Sequence, residues 1–405
     1  MNFSKYTIKD IANNLNKRKI ILFGAGDIAQ KTHRITKDFQ VSFIIDNAEN
    51  LWNTADDTIS LDIKDPSIIK KKYNKYFIII CTTSYREVAN QLIDYNYELD
   101  KDFIVSPILN DLRTIDEIEQ LEQKLIFSSG APSVSNKYYG GGIYLLELKK
   151  FKWSYSKKIY GNCYGIIKYK SNYISVDQSI GIFEFDKNFK ITRSKKLPSF
   201  SRPHGVAYSS KYEEFYVCCS YKDEILILDK NFNKKKIISI SDKFKNLKVP
   251  SHHINDCEVH EDYLYVSMFS ESGNWKLDVY DGCILQIDLK KKTIDKAIVR
   301  NLWMPHNPKI FNGNFYVNDS LRGNLLGNNF NIVSNFKSFT RGLANDGSYF
   351  YIGQSKNRNF SRNIGITNNT SIDSGIVILD EKSKVSRFLQ LSPYLSEIHS
   401  IEIYN

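Results

Sequence analysis

Four histidines stand just ahead of short apolar strands in a part of the chain that repeats one pattern several times. They are His204, His253, His306 and His399. Neutral imidazoles that converge on one point suit Zn, Fe, Mn or another divalent metal and leave coordination positions open for substrate or water. A hydrogen-bonded polar plug is the alternative use of the same side chains. The pattern predicts a divalent metal site built by these four histidines.

Other repeats carry acid, base and anion-binding side chains at or near the equivalent position. Arg341 begins one repeat, Tyr164 another, and Asp256 follows His253 closely. A guanidinium does not ligate a metal, but it binds a carboxylate or phosphate and stabilises an enolate-like anion. We therefore predict Arg341, Tyr164 and Asp256 as catalytic residues. Arg202 and Arg358 would add positive charge for a small, anionic, sugar-like ligand.

The repeats that position these side chains occupy residues 125–405. Their period of roughly 35 to 50 residues, with short alternating strands, is typical of a β-propeller. The last repeat begins at His399 and then ends, and residues 125–129 and 141–148 supply the strands that it lacks. We predict six blades, closed by joining both ends of the segment, since five or seven fit less well with one leading strand per repeat. Gly205, having no Cβ, would let backbone crowd the axis.

The part of the chain before the repeats has a different pattern, in which strands alternate with helices. A short apolar strand at residues 19–23 leads into Gly24-Ala-Gly26 and a helical pattern, and a second strand ends at Asp46, 20 residues beyond Gly26. This spacing predicts a Rossmann-like parallel sheet in which Gly24, Gly26 and Asp46 bind a nucleotide. Close packing of the helix on the strand is the alternative role of the glycines. Asp27 would repel a pyrophosphate.

The chain thus combines an α/β and an all-β part. We predict a Rossmann-like domain at residues 1–110, a helical linker at 111–124 and the propeller at 125–405. A length of 405 residues favours two domains. The six cysteines show no CxxC pair or zinc-ribbon spacing and are interpreted as buried free thiols.

Composition limits the partners and the compartment. The net charge of +11 comes largely from Lys-rich stretches between strands, which lack interleaved aromatic residues, so a solvated rim is favoured over a nucleic-acid groove. No signal-peptide core and no membrane span of roughly 18 apolar residues occurs. We expect a cytoplasmic protein with no nucleic-acid partner, and the sequence leaves its oligomeric state open.

Two family resemblances add to these expectations. Residues 19–106, with Gly24-Ala-Gly26 and Phe43-Ile-Ile-Asp46, resemble small Rossmann-type modules of bacterial surface-polysaccharide enzymes, including the N-terminal half of sugar acyltransferases. That resemblance implies a nucleotide-sugar facing the glycine turn and the acidic residue. Trp303-Met-Pro-His-Asn-Pro308 and Thr340-Arg-Gly-Leu343 resemble an uncharacterised bacterial β-propeller family, which implies the fold and the importance of His306 and Arg341 but no reaction.

These observations lead to one functional hypothesis and two alternatives. The first is a metal-dependent enzyme of bacterial surface-glycan metabolism, acting as a lyase, isomerase or hydrolase on an anionic or nucleotide-linked sugar. The second is a non-catalytic binding or scaffold propeller whose N-terminal module senses a nucleotide-sugar. The third is an NAD-dependent oxidoreductase that uses Gly24, Gly26 and Asp46.

Overall fold

The structure, a computed structural model, describes residues 3–15, 17–70, 75–359 and 369–404. The chain divides into two compact units, Met1–Glu117 and Ile118–Asn405. Among the described residues, no helix combines the length and the apolar character that a membrane crossing needs. All six cysteines are buried free thiols, as predicted.

The first unit is built around a six-stranded sheet. Its strands are β1 (Lys19–Phe23), β2 (Val41–Ile45), β3 (Ala55–Asp56), β4 (Leu61–Lys64), β5 (Tyr76–Ile80) and β6 (Phe103–Val105), in the order β3-β4-β2-β1-β5-β6. Its helices are α1 (Ile8–Asn14), α2 (Asp27–Ile35), α3 (Tyr85–Asp94) and α4 (Asn110–Glu119). Short 3₁₀ turns lie at Glu49–Leu51, Pro66–Ile69 and Pro107–Leu109.

Five neighbouring strands of the sheet, in the order β4-β2-β1-β5-β6, pair in parallel, as the alternation of strands and helices predicts. The apolar run of β5 is buried at every position, which is usual for a parallel strand with both faces covered. The two-residue strand β3 pairs antiparallel with β4, so the sheet is mixed. Neither of these short strands was predicted. The Rossmann-like assignment of this unit stays a prediction.

Two predicted segments differ in detail from the structure. The sequence also favours a helix from residue 66 to residue 73, whereas the structure has a 3₁₀ turn over Pro66–Ile69; residues 71–73 lie outside the described part of the chain. The segment predicted as a linker, residues 111–124, contains most of α4 and the first residues of the strand β7 (Glu122–Ser129).

The second unit contains six four-stranded antiparallel sheets. Blade one consists of β10 (Cys163–Tyr169), β11 (Asn172–Asp177), β12 (Gly181–Phe185) and β13 (Ile191–Lys195). Blade two consists of β14 (Pro203–Ser209), β15 (Glu214–Cys219), β16 (Glu224–Asp229) and β17 (Lys234–Ser239). Blade three consists of β18 (Ile254–His260), β19 (Tyr263–Met268), β20 (Gly282–Asp288) and β21 (Thr293–Leu302). Blade four consists of β22 (His306–Phe311), β23 (Asn314–Asp319), β24 (Asn324–Leu326) and β25 (Ile332–Asn335). Blade five consists of β26 (Phe339–Asn345), β27 (Phe350–Ser355), β28 (Gly375–Leu379) and β29 (Ser386–Gln390). A short helix, α5 (Lys243–Leu247), and 3₁₀ turns at Trp275–Leu277 and Asn328–Phe330 lie in the connections.

The sixth blade joins both ends of this unit, which confirms the predicted six-bladed propeller and its closure. Its strands are β30 (Ser400–Ile403), β7, β8 (Gly142–Lys149) and β9 (Lys152–Tyr160). Strand β30 pairs antiparallel with β7, and the backbone amide of His399 donates to the carbonyl of Ser128 at 2.9 Å. The pairing covers the sheet edge that each end of the segment would otherwise leave open.

Candidate functional site

The first strand of five of the six blades interrupts its pairing at an equivalent place. In β10, β14, β18, β22 and β26, two residues oppose a single residue of the next strand, and the pairs are Tyr164-Gly165, His204-Gly205, Asn255-Asp256, Asn307-Pro308 and Arg341-Gly342. Such a β-bulge bends the strand and changes the direction of a side chain. Tyr164, His204, Asp256 and Arg341 lie in these bulges, whereas His306 stands one residue before the bulge of its strand and His253 two residues before.

Glycine follows the polar residue in three of these bulges, and at two of them, Gly165 and Gly205, another backbone segment lies against it. A Cβ added to Gly205 would come within 2.5 Å of the Cα of Asp256, and one added to Gly165 within 2.8 Å of the carbonyl oxygen of His204. Neighbouring first strands therefore touch backbone to backbone around the axis. The expected close approach at Gly205 is confirmed, and its partner is protein backbone.

A cavity of about 300 Å³ opens at the mouth of the axis where the bulges lie. All four predicted histidines line it, together with Tyr164 and Arg341. Arg202, Arg358, Glu397, Phe269, Trp275 and Phe339 also contribute to its wall. We call this space the axial pocket.

The rings in the wall of the axial pocket pack against one another. The centroid of the His204 ring lies 5.5 Å from that of His253 and 5.8 Å from that of His399. The Tyr164 ring lies 4.4 Å from His204 and 4.7 Å from His399. The Phe269 ring contacts both His306, at 5.3 Å, and His253, at 4.4 Å. Each of the four imidazoles thus packs against at least one Tyr or Phe ring.

Burial keeps these imidazoles neutral. Removal from water holds the pKa of His204, His253 and His306 well below the ordinary value, and the positive charges of Arg202 and Arg341 act on nearby imidazoles in the same direction. His306 Nδ1 lies 2.9 Å from the carbonyl oxygen of Met304, which makes Nδ1 the protonated nitrogen and leaves the lone pair on Nε2. Neutral imidazoles of this kind are able to accept a proton.

Glu397 is a member of the site that sequence reasoning did not select. Its Oε2 lies 3.1 Å from Nε2 of His399, its Oε1 lies 3.9 Å from Nη2 of Arg341, and Arg358 forms a second ion pair with the same oxygen. Burial by itself raises the pKa of Glu397, but the hydrogen bond to His399 and the two guanidinium charges lower it far below its usual range. The signal in the sequence is a carboxylate two residues before a leading histidine.

Arg341 is buried in the wall with two of its donors unused. Its guanidinium lies 4.4 Å from the centre of the Phe339 ring, and its side chain is 7% exposed. Within the described part of the protein, its Nε and Nη1 have no hydrogen-bond partner, and the same is true of His204 Nε2 and His253 Nδ1. Buried polar atoms without partners cost about 1–3 kcal/mol each, so this concentration in one wall requires an explanation.

Tyr164 and Asp256, the other predicted catalytic residues, occupy different positions. The hydroxyl of Tyr164 accepts a hydrogen bond from Gln178 Nε2 at 2.7 Å, and burial raises its pKa, so the phenol is a neutral hydrogen-bonding group. Asp256 does not line the axial pocket. Its carboxylate accepts from the amide of Asn307 at 3.1 Å, beside a small space further along the axis that Gly165 and Lys309 also border.

The donor set does not match a metal site. Among the described residues, no group of three or more His, Cys, Asp or Glu side chains is placed to hold a metal ion. His399 engages Glu397 through Nε2, the Phe269 ring packs against both His253 and His306, and the guanidinium groups add positive charge to the same wall. The four histidines come together, but the predicted metal centre is not supported by their arrangement.

The glycine turn of the first unit is held by its own residues. The Asp46 carboxylate accepts hydrogen bonds from the amides of Ala25 at 2.6 Å and Ala48 at 2.8 Å. Gly24 has a φ of 114°, and an added Cβ would lie 2.8 Å from the carbonyl oxygen of Cys81. Gly26 is extended, with a φ of 176°. Packing thus explains Gly24 and turn geometry explains Asp46, and a nucleotide at this turn stays a prediction.

A family described as "Domain of unknown function (DUF4915)" matches residues 252–405. This segment is less than half of the chain and contains the blades from β18 onward together with β30. It supports the resemblance of the C-terminal part to an uncharacterised propeller family. No curated protein matches the chain.

Solved structures resemble the chain only distantly. A chain of a nidogen/laminin complex has 11% identity and a TM-score of 0.48, and the match covers 70% of this chain and 99% of that one. A protein of unknown function from Bacteroides caccae has 12% identity and a TM-score of 0.48, with 69% and 98% covered. A putative gluconolactonase has 14% identity and a TM-score of 0.41, with 57% and 78% covered. Similarities of this size say nothing about activity.

Proposed function

We propose that the axial pocket is the active site of an enzyme that transfers protons on a small anionic substrate of the sugar-acid type. The observation that carries the proposal is the buried guanidinium of Arg341, with Nε and Nη1 unpartnered within the described part of the protein, in a wall of neutral imidazoles. A guanidinium in a site of low dielectric binds a carboxylate strongly and specifically.

The charge of the wall supports an anionic ligand. Arg202, Arg341 and Arg358 supply three positive charges, and Glu397 supplies one negative charge. Because the imidazoles are neutral, the wall keeps an excess of two positive charges. A ligand with one or two negative charges would balance this excess, whereas a neutral sugar would leave it uncompensated.

The chemistry that fits this wall is proton abstraction beside a carboxylate. Arg341 would bind the carboxylate, and a neutral imidazole, His204 or His253, would take a proton from the adjacent carbon. The electron pair left on that carbon would be delocalised into the carboxylate and stabilised by the guanidinium. Return of the proton to the opposite face of the same carbon completes an epimerisation, and its delivery to a hydroxyl or alkoxide that departs from the next carbon completes an elimination. The His399–Glu397 pair and the Tyr164 hydroxyl would hold the substrate's other oxygens.

The finer expectations from the sequence remain separate hypotheses. Metal dependence through His204, His253, His306 and His399 is one, and no step above is routed through a metal. Nucleotide-sugar binding at Gly24, Gly26 and Asp46, a role in surface-glycan metabolism and a cytoplasmic location are the others. The family resemblance of residues 19–106 supports the nucleotide-sugar hypothesis, and it is tested by titrating the protein with a uridine diphosphate sugar.

Calorimetric titration and proton exchange test the proposed function. D-glucuronate and D-galacturonate are the probes, and D-glucose is the neutral control of the same ring size. We expect both uronates to bind and glucose not to bind. Nuclear magnetic resonance in D₂O should then show exchange of the carbon-bound proton next to the carboxylate. Binding without exchange would favour the non-catalytic binding propeller, and equal binding of glucose would refute the anion site.

A further inference from the structure

A second cavity, of about 390 Å³, adjoins the axial pocket. Arg202 lines both spaces. Gln178 lines the second cavity and donates its hydrogen bond to the hydroxyl of Tyr164, which lines the axial pocket. The two spaces therefore share one wall at Arg202.

The loop between the two cavities carries an aromatic ring that is exposed to solvent. Phe200 is 73% exposed and has a φ of 61°, and Arg202, two residues later, has a φ of 47°. Residues other than glycine seldom adopt positive φ angles, and they keep them only where the surrounding structure holds the backbone in place. Such residues are more frequent at binding sites. A large apolar side chain kept exposed by an unfavourable backbone conformation suggests a surface that receives a ligand.

Hydrogen bonds hold this loop in place. The carbonyl oxygen of Arg202 accepts from both the amide and the hydroxyl of Ser220 at 3.1 Å, and the carbonyl oxygen of Ser201 accepts from the amide of Tyr221 at 3.4 Å. The rings of Phe200 and Tyr221 then lie 5.9 Å apart. This pair of rings forms an aromatic edge whose position is set before any ligand arrives, which lowers the entropy cost of binding.

The remaining wall of the second cavity is polar. Asp177, Gln178 and Lys196 face it together with Ser199 and Ser201. Hydrogen-bonding groups beside an exposed aromatic edge suit a sugar ring, since the hydroxyls of the ring bond to polar side chains and its C–H face packs on an aromatic ring.

We propose that the second cavity is a subsite for the neighbouring sugar of an anionic saccharide. The substrate class is therefore a sugar acid linked to at least one further ring, with the carboxylate at Arg341, the bridging region at Arg202 and the second ring against Phe200 and Tyr221. This inference rests on the proposed function, because it takes the anionic ring to lie in the axial pocket.

Titration calorimetry with three probes tests the subsite: D-glucuronate, cellobiouronate, in which glucuronate is linked to glucose, and neutral cellobiose. We expect cellobiouronate to bind roughly 5- to 10-fold more tightly than glucuronate, the ratio that one aromatic contact provides. The double variant Phe200→Ala/Tyr221→Ala should lose this advantage and keep the affinity for glucuronate. Phe200→Trp should retain it. Phe151→Ala is the control, since Phe151 is also an exposed aromatic residue, at 58%, in the turn between β8 and β9.

The outcomes separate this inference from the proposed function. If glucuronate binds but the second ring adds nothing, or if the double variant weakens both ligands equally, the subsite is refuted and the proposed function stands. If cellobiose binds as well as cellobiouronate, or if neither acid binds, the proposed function fails and the subsite falls with it.

Discussion

Replacement of Arg341 is the perturbation that bears most directly on the site. Arg341→Met removes the charge and the hydrogen-bond donors, and Arg341→Lys keeps the charge but loses the planar donor geometry. A hydrogen bond to a charged group contributes about 1.5–3 kcal/mol, so Arg341→Met should raise the Kd for D-glucuronate by roughly 10- to 150-fold. The Kd of Arg341→Lys for D-glucuronate should lie between that of Arg341→Met and that of the wild type.

The stability of the protein changes for a separate reason. Arg341 and Glu397 are both 7% exposed at the side chain, and their charged groups lie 3.9 Å apart. Breaking a buried ion pair costs about 3–5 kcal/mol when the remaining charge has no other partner. Glu397 keeps Arg358 and His399, so we expect a loss of stability smaller than that range.

Calorimetric titration at pH 7.5 measures the binding, and urea unfolding of the same samples measures the stability. Arg193→Met is the matched control, because Arg193 also pairs with a carboxylate, that of Glu184, but lies on the outer strand β13. This control should bind D-glucuronate as the wild type does. Wild-type affinity in folded Arg341→Met would refute the assignment of Arg341 as the anion-binding residue.

Three further predictions concern acid sensitivity, metal and packing. Because His204, His253 and His306 have a lowered pKa in the folded protein, the unfolded state binds more protons below about pH 6.5. The free energy of unfolding should therefore fall as the pH falls through 6.5, with a slope that approaches about 1.4 kcal/mol per pH unit for each of the three once the unfolded imidazoles are protonated; the raised pKa values of buried Asp256 and Glu402 partly offset this slope. Urea unfolding between pH 7.5 and 5.5 measures this slope, and His204→Gln should reduce it by one proton; an unchanged slope would contradict the neutral state of His204. Treatment with EDTA followed by dialysis should leave uronate binding and proton exchange intact, and a loss restored by Zn, Fe or Mn would instead establish the metal centre predicted from the sequence. Gly205→Ala should destabilise the propeller by about 3 kcal/mol or more, since its Cβ would meet backbone at 2.5 Å, whereas Gly347→Ala, whose Cβ has no neighbour within 4 Å among the described residues but whose φ is 96°, should cost about 1–2 kcal/mol. Equal urea midpoints for the two variants would contradict the backbone contact.

The propeller was predictable because its signals are local and repeated. Alternating strands, turn residues and the incomplete repeat at His399 are visible along the chain, and closure with β7 follows from the need to cover a sheet edge. The convergence of Tyr164, His204 and Arg341 follows from the same symmetry. In the first unit, β3 and β4 were not predicted because segments of two and four residues are too short to show the alternation of apolar and polar residues that marks a strand.

Only the tertiary structure decided what the converging side chains can do. The sequence placed Asp256 with the site, but the bulge in β18 turns it towards Asn307, away from the axial pocket. Glu397 enters the site because the segment before β30 runs beside β26 and β27, where the amide of Gly342 donates to the carbonyl of Ile398; this brings Glu397 to Arg341, 56 positions away in the sequence. Residue types along the chain determine which groups stand at each blade, whereas the distance and angle between groups on different blades depend on how the blades pack.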